Sequence, residues 1–237
     1  MVIVLVGQHQ MLYFVMTNIY NQMIENKYPK IDAILNDYYK TKSSPTKDLH
    51  AVILEKIANP NNYKKYWTDG VLKTISNSIG HQVYGRTVGF VPNYGGSIEF
   101  LTDLGNDKKA ITQIHFYVSL LNDVYTIQIN EIEEQIQKIE MLDKFMPVQK
   151  LKEIWVSPSN HRYADLFLKI ESILEETLHK PIFLPYSVQK MELNGIQIPN
   201  VHNNTVYVED AFFKKILPLN QDYIIKGNPK YRISELN

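Results

Sequence analysis

Residues 111–130 read ITQIHFYVSLLNDVYTIQIN, and this stretch decides the fold class. A two-residue turn at Asn122-Asp123 pairs Leu120 with Tyr125, Val118 with Ile127 and Phe116 with Ile129. The same register sets Ser119 against Thr126 and Tyr117 against Gln128 on the other face. One face is apolar and the other hydroxylic and amidic, which is the pattern of an antiparallel hairpin with one covered side. A slip of one residue would turn every side chain to the wrong face, so the register is expected to be strongly set.

Toward the N-terminus, Gly105-Asn106-Asp107 predicts a turn, 97–101 a short strand, and Pro92-Asn93-Tyr94-Gly95-Gly96 another turn. Residues 81–91 alternate loosely around Gly80, Gly85 and Gly89. The first eighty residues have helical spacing. Leu12, Val15, Ile19 and Met23 form one stripe, and Ile31, Ile34, Leu35 and Tyr38 a second. Ser44-Pro45 offers a cap and first-turn proline ahead of Leu49, Val52, Ile53 and Ile57. Asn59-Pro60 breaks that helix, and Tyr63, Trp67, Leu72, Ile75 and Ile79 mark the next, closed by Gly80.

Toward the C-terminus, Ile132, Ile136, Ile139 and Leu142 predict a helix with Glu131, Glu133 and Glu134 at its positive end. A strand over 153–156 and a helix through Tyr163, Leu166, Phe167, Ile170, Ile173 and Leu174 follow, with Pro181 as its stop and a short strand at 182–184. Asn194-Gly195 predicts a type I′ hairpin matching Leu193 to Ile196 and Met191 to Ile198. Val206 and Val208 extend the sheet, and Asp210 caps a helix through Ile216. The expected class is α+β. A helical N-terminal part, 1–80, precedes an α+β part, 81–237, with a mixed, largely antiparallel sheet and packed helices, the two packing as one unit.

Composition narrows function by exclusion. The 237 residues carry 25 basic and 25 acidic side chains, and arginine occurs only at Arg86, Arg162 and Arg232. A neutral, arginine-poor chain has neither the bulk field nor the bidentate forks that nucleic acid favours. The absence of cysteine removes disulfides, thiol catalysis, iron–sulfur clusters and thiolate zinc sites. No charged side chain occurs before Glu25, yet Gly7, Gln8, His9, Gln10, Asn18, Asn21 and Gln22 interrupt the apolar run. It matches neither a spanning helix nor a secretory signal, so a cytoplasmic protein without membrane contact is expected.

Phosphate cradles, dinucleotide fingerprints and the GxSxG elbow are absent from the chain. Glu176 and His179 have the spacing of half a di-iron motif, and His161 and Asp165 share a helix face, but neither pair finds the further ligands a metal needs. No metal or cofactor is expected. The best candidate surface is the polar hairpin face, His115, Tyr117, Ser119, Thr126 and Gln128, with Tyr94 in the glycine-rich turn nearby. It can face water, line a pocket in which His115 acts as acid or base beside Tyr117, or dock a partner through amphipathic tips. The leading expectation is a protein-binding module, in concrete form a small bacterial inhibitor or immunity protein that neutralises a toxin or enzyme. It predicts that lysine at Tyr117 and Gln128 abolishes complex formation with the fold intact. The alternatives are a metal-independent enzyme using His115 or His161, and an assembly component of a phage or secretion apparatus.

Overall fold

The computed structural model describes residues 27–39, 47–87, 91–140, 143–193, 196, 198, 205–213 and 222–237. The stripe at Leu12 to Met23, the cap at Ser44-Pro45, the turn pair Asn194-Gly195 and the helix end at Ile216 fall outside these residues.

Among the described residues, four helical pieces come first: α1 (Pro29–Tyr38), α2 (Leu49–Ile53), α3 (Pro60–Asn62) and α4 (Lys73–Ile79). Wider π-helical turns at Leu54–Ala58 and Tyr63–Leu72 extend α2 and join α3 to α4. Asp48 caps α2, its carboxylate accepting from the N–H groups of His50 and Ala51. Asn59 does the same for α3 through Asn61. Gly80 ends α4 in the left-handed region at φ 71°, as its position after the last periodic residue predicts.

Strands β1 (Tyr84–Gly85), β2 (Asn93–Gly105), β3 (Lys108–Ser119), β4 (Val124–Ile139) and β5 (Lys144–Trp155) form an antiparallel meander. After α5 (Ala164–Thr177), β6 (Ile182–Phe183) pairs in parallel with β4. Then come α6 (Tyr186–Gln189), α7 (Val208–Phe213) and β7 (Ile224–Lys226), which pairs in parallel with β5. The class is α+β with a mixed seven-stranded sheet, as expected.

Three local expectations are corrected. The β3–β4 register pairs Val118 with Tyr125, Phe116 with Ile127 and His115 with Gln128. It is two residues from the predicted one, because Leu120 and Leu121 belong to the loop together with Asn122 (φ 74°) and Asp123 (φ 50°). A shift of two keeps every side chain on its face, so the predicted sidedness survives. Residues 131–139, expected as helix, continue β4. Ile132 and Ile136 are four apart, a spacing that fits both a helix and one face of a strand, and the ladder with β3 and β5 decides it. Lys109 stands opposite Glu134 in that ladder, a register that sets unlike charges across from each other.

The turn expected at 92–96 is instead the start of β2. Its glycines serve close packing. A Cβ on Gly96 would stand 2.3 Å from Cζ of Phe116. The true turn of this hairpin is Asn106-Asp107, at φ 52° and 57°, where it was predicted. Near 191–198, Glu192 bridges Tyr207 and Leu193 N–H bonds to Val206 C=O (2.7 Å), so the described flanks of the expected hairpin pair with 206–207. Asp210 reaches back to the N–H of Tyr207 (2.8 Å), fixing the first turn of α7.

The sheet has a core on each face, and both cores draw residues from either side of Gly80. On one face Trp67, Leu72 and Ile75 pack with Phe116, Ile127 and Ile129 and with Phe167 and Leu174 of α5. On the other, Ile31, Ile34 and Leu35 of α1 join Leu184, Val188, Phe212 and Phe213 over Leu121 and Val124. The Tyr39 hydroxyl donates to Ala211 C=O (2.6 Å), tying α1 to α7. Sixteen residues of β4 reach about 50 Å at ~3.3 Å per residue. The far halves of β2 to β5 therefore project beyond the described residues of both layers as a blade, with Leu101 63% and Phe145 73% exposed.

Arg232 closes the first core from the side. Its guanidinium pairs bidentately with Glu235 (2.7 Å to each oxygen), meets Glu171 (3.1 Å) and Glu175, and donates to the Tyr125 hydroxyl (2.7 Å). Burial raises the Glu171 pKa, against the opposing pull of Tyr231 and Arg232.

Candidate binding site

The polar hairpin face is not a water-facing surface. Ser119, Thr126 and Gln128 are buried, and each is engaged within the chain. Ser119 Oγ donates to Pro92 C=O (3.3 Å) and accepts from Leu121 N–H (3.1 Å), pinning the loop. Gln189 of α6 donates to the Thr126 hydroxyl (2.8 Å), and Gln128 donates to Asn130 (3.2 Å). A partner could meet Thr126 and Gln128 only by displacing the layer above them. That layer is the reason two-sided alternation here does not mark an exposed surface.

His115 and Tyr117 are half-buried on the same face and lie in a hydrogen-bonded row. Gln113 donates to Glu99 (2.7 Å), which turns its amide oxygen toward His115 Nε2 (3.0 Å). The imidazole therefore carries its proton on Nε2 and takes the Tyr117 hydroxyl on Nδ1 (3.4 Å). Burial, and then the charge of Arg86, lowers the His115 pKa to about 4, so the ring is neutral. Burial likewise raises Tyr117 to about 12.

His161 has an equally occupied ring. Its Nδ1 accepts from Tyr163 N–H (3.1 Å), so Nε2 carries the proton and donates to Glu131 (2.9 Å). Thr112 also donates to Glu131 (2.7 Å), and Arg162 donates to Thr112 and lies 3.4 Å from each Glu131 oxygen. Burial raises the Glu131 pKa, but these bonds and the Arg162 charge outweigh it and hold the carboxyl below its ordinary value. This cluster seals the end of the first core where β3 and β4 leave the helical layer. Sequence reading saw His161 but missed Glu131, because 131–139 resembled a helix with its acids in water.

Among the described residues, an open concavity lies at the turn end of the β3–β4 hairpin. A cleft of about 520 Å³ is lined by Glu55, Lys56, Asn62, Lys65, Tyr66, Tyr94, Val118, Ser119 and Asp123. It brings together two of the six predicted residues, Tyr94 and Ser119, and neither His115 nor His161 lines it. Tyr94 stacks on Trp67 at 5.0 Å, with Tyr66 and Tyr63 at 5.8 and 6.0 Å. Its hydroxyl donates to Lys56 C=O (3.0 Å), and burial lifts its pKa far above the ordinary tyrosine value.

Lys56 in turn donates to Leu120 C=O (3.2 Å), so the aromatic cluster fastens the wider π turns to the hairpin loop. Tyr66 is 40% exposed at the rim, its pKa raised by partial burial and then by the Asp123 carboxylate. Two lysines and two carboxylates around tyrosine make an amphipathic wall without net charge. The sequence signal for it was the run of tyrosines at 63, 66 and 94, but the π-helical widening that turns Tyr66 and Lys65 to one side was not legible.

Among the described residues, no group of three or more His, Asp or Glu is placed to hold a metal. No described helix is long and apolar enough to cross a membrane. Compared with known proteins, the chain matches no family, no curated relative and no solved structure.

Proposed function

We propose that this chain is a cytoplasmic protein-binding module that takes a segment of its partner into the Tyr66–Tyr94 cleft. The supporting observation is the cleft itself, about 520 Å³, walled by tyrosine and by balanced lysine and carboxylate groups. Tyrosine supplies large, stiff contact area with a polar tip, which is why protein interfaces are enriched in it. The zero net charge and three arginines support a protein partner over nucleic acid. An inhibitor or immunity protein acting on a toxin or enzyme is the concrete form. The histidine-centred enzyme has less support, since both rings in question have both nitrogens engaged inside the chain.

The test is affinity capture from lysate of the source organism with wild type, Tyr66→Ala and Lys144→Ala side by side. A stoichiometric partner kept by wild type and Lys144→Ala and lost by Tyr66→Ala is the expected result. A partner that ignores Tyr66, or no partner, overturns the reading.

A further inference from the structure

The blade has two edges, and they are built differently. On β5 the free edge carries Lys144, Pro147, Lys150 and Lys152, the charges and proline that keep strands from adding. Among the described residues, β7 pairs only with its last three positions, Glu153 to Trp155. On β2, β1 pairs only with Gly96 and Ser97, and no described strand covers 98–105 on the outer side. That segment reads IEFLTDLG, with no proline and no basic residue.

The direction of its main chain is set by Gly95. The Gly95 N–H donates to Thr87 Oγ1 (3.0 Å), and its C=O accepts from Arg86 N–H (2.7 Å), both on the side away from β3. Antiparallel alternation then turns the N–H and C=O of Glu99, Leu101 and Asp103 outward as well. Their side chains share one face with a row that crosses the sheet, Leu101–Ile111–Ile132–Leu151. Ile111 and Leu151 are buried, whereas Leu101 ends the row 63% exposed. The row stops one strand short.

We propose that the outer edge of β2 over 99–103 receives an extended segment of another protein, added as a further strand, with basic residues opposite Glu99 and Asp103 and an apolar residue opposite Leu101. Such addition satisfies the outward main-chain groups and covers Leu101, while the flanking acids select a basic–apolar–basic alternation. A second copy of this chain fits poorly. Antiparallel β2–β2 pairing centred on Leu101 sets Glu99 against the partner's Asp103 twice, and like charges directly opposite repel. The proposal rests on the reading that the chain holds other proteins, but on a surface apart from the cleft.

The test uses the full chain and a fluorescein-labelled peptide, TKTVVKT, followed by anisotropy. Leu101→Pro deletes an outward N–H while leaving the β3 ladder its donors, and Leu101→Lys adds an edge charge. Both variants are first checked for unchanged thermal unfolding. Expected are saturable binding by wild type and Tyr66→Ala, a loss of about tenfold or more in both Leu101 variants, and no binding of TETVVET or of a peptide N-methylated at its central residues. No saturable binding, binding indifferent to Leu101, or equal binding of the acidic peptide overturns the proposal. So does sedimentation showing a dimer that Leu101→Pro dissolves, which assigns the edge to a second copy. Binding lost in Tyr66→Ala but kept in Leu101→Pro overturns it in favour of the cleft. Failure of the edge leaves the capture experiment to judge the cleft separately.

Discussion

Nε2 of His161 donates to Oε1 of Glu131 across 2.9 Å, joining two residues thirty positions apart at the point where the sheet leaves its helical cover. The carboxyl of Glu131 is held below its ordinary pKa, so the folded state favours its ionised form. That contribution is present above the unfolded carboxyl value, near 4.5, and is lost as pH falls through the lower folded value. Glu131→Gln should therefore cost about 1–3 kcal/mol at pH 7 and much less at pH 3. Urea melts of the two proteins at both pH values check this; an equal deficit at each would contradict the ionic role.

His115 has the opposite kind of proton linkage to a paired base. Its neutral ring is favoured by burial, with a folded pKa of about 4 against 6.5 unfolded. Stability from this site is full above pH 6.5 and declines as pH falls toward 4, where the unfolded chain takes up the proton first. His115→Gln should flatten the stability profile between those values. NMR titration of the ring, expected to show no protonation at pH 5.5, gives a second reading of the same shift.

The lysine substitutions that an exposed hairpin face would tolerate should instead break the fold. Gln128 is 3% exposed, so Gln128→Lys buries a charge under the second core, at a cost of several kcal/mol. Tyr66→Ala, at the cleft rim, should cost about 1 kcal/mol. Circular dichroism melts of the two variants separate a covered face from an open one; a stable Gln128→Lys protein would sink the covered-face assignment.

Gly96 tests the packing of β2 against the helices. A methyl group there meets Phe116 at 2.3 Å and Leu72 at 2.9 Å, so Gly96→Ala should destabilise by about 1–3 kcal/mol. Phe116→Leu in the same chain should recover part of that loss, while Gly80→Ala should suffer only from its left-handed backbone. Failure of Phe116→Leu to rescue would place the strain elsewhere.

Much of the fold was legible because alternation is robust to its own errors. The hairpin register was two residues off, and yet Phe116, Val118, Ile127 and Ile129 came out on the buried face, since two is the period of a strand. The helix expected from Ile132 onward failed over the described residues 132–139 because a four-residue spacing belongs to both periods, and only the neighbouring strands choose between them. The turn expected at Gly95-Gly96 failed because glycine also marks close approach, and Phe116 lies twenty positions away. The site was harder still. Tyr94 and Ser119 were named for different reasons, and what unites them is a loop anchored on Pro92 and a helix widened beside it, neither of which has a sequence signature.

Arg232 has a bearing on synthesis as well as on packing. The ribosome reaches it 107 residues after Tyr125, and only after Glu171 and Glu175 have been made. A nascent chain can form the β3–β4 hairpin early, from contacts close in sequence. It cannot finish the flank of the first core until that single guanidinium emerges, because two carboxylates there would otherwise repel each other in a poorly solvated place. A premature stop before residue 232 should then leave a product with its sheet intact and one wall open, the kind of species that quality-control proteases recognise.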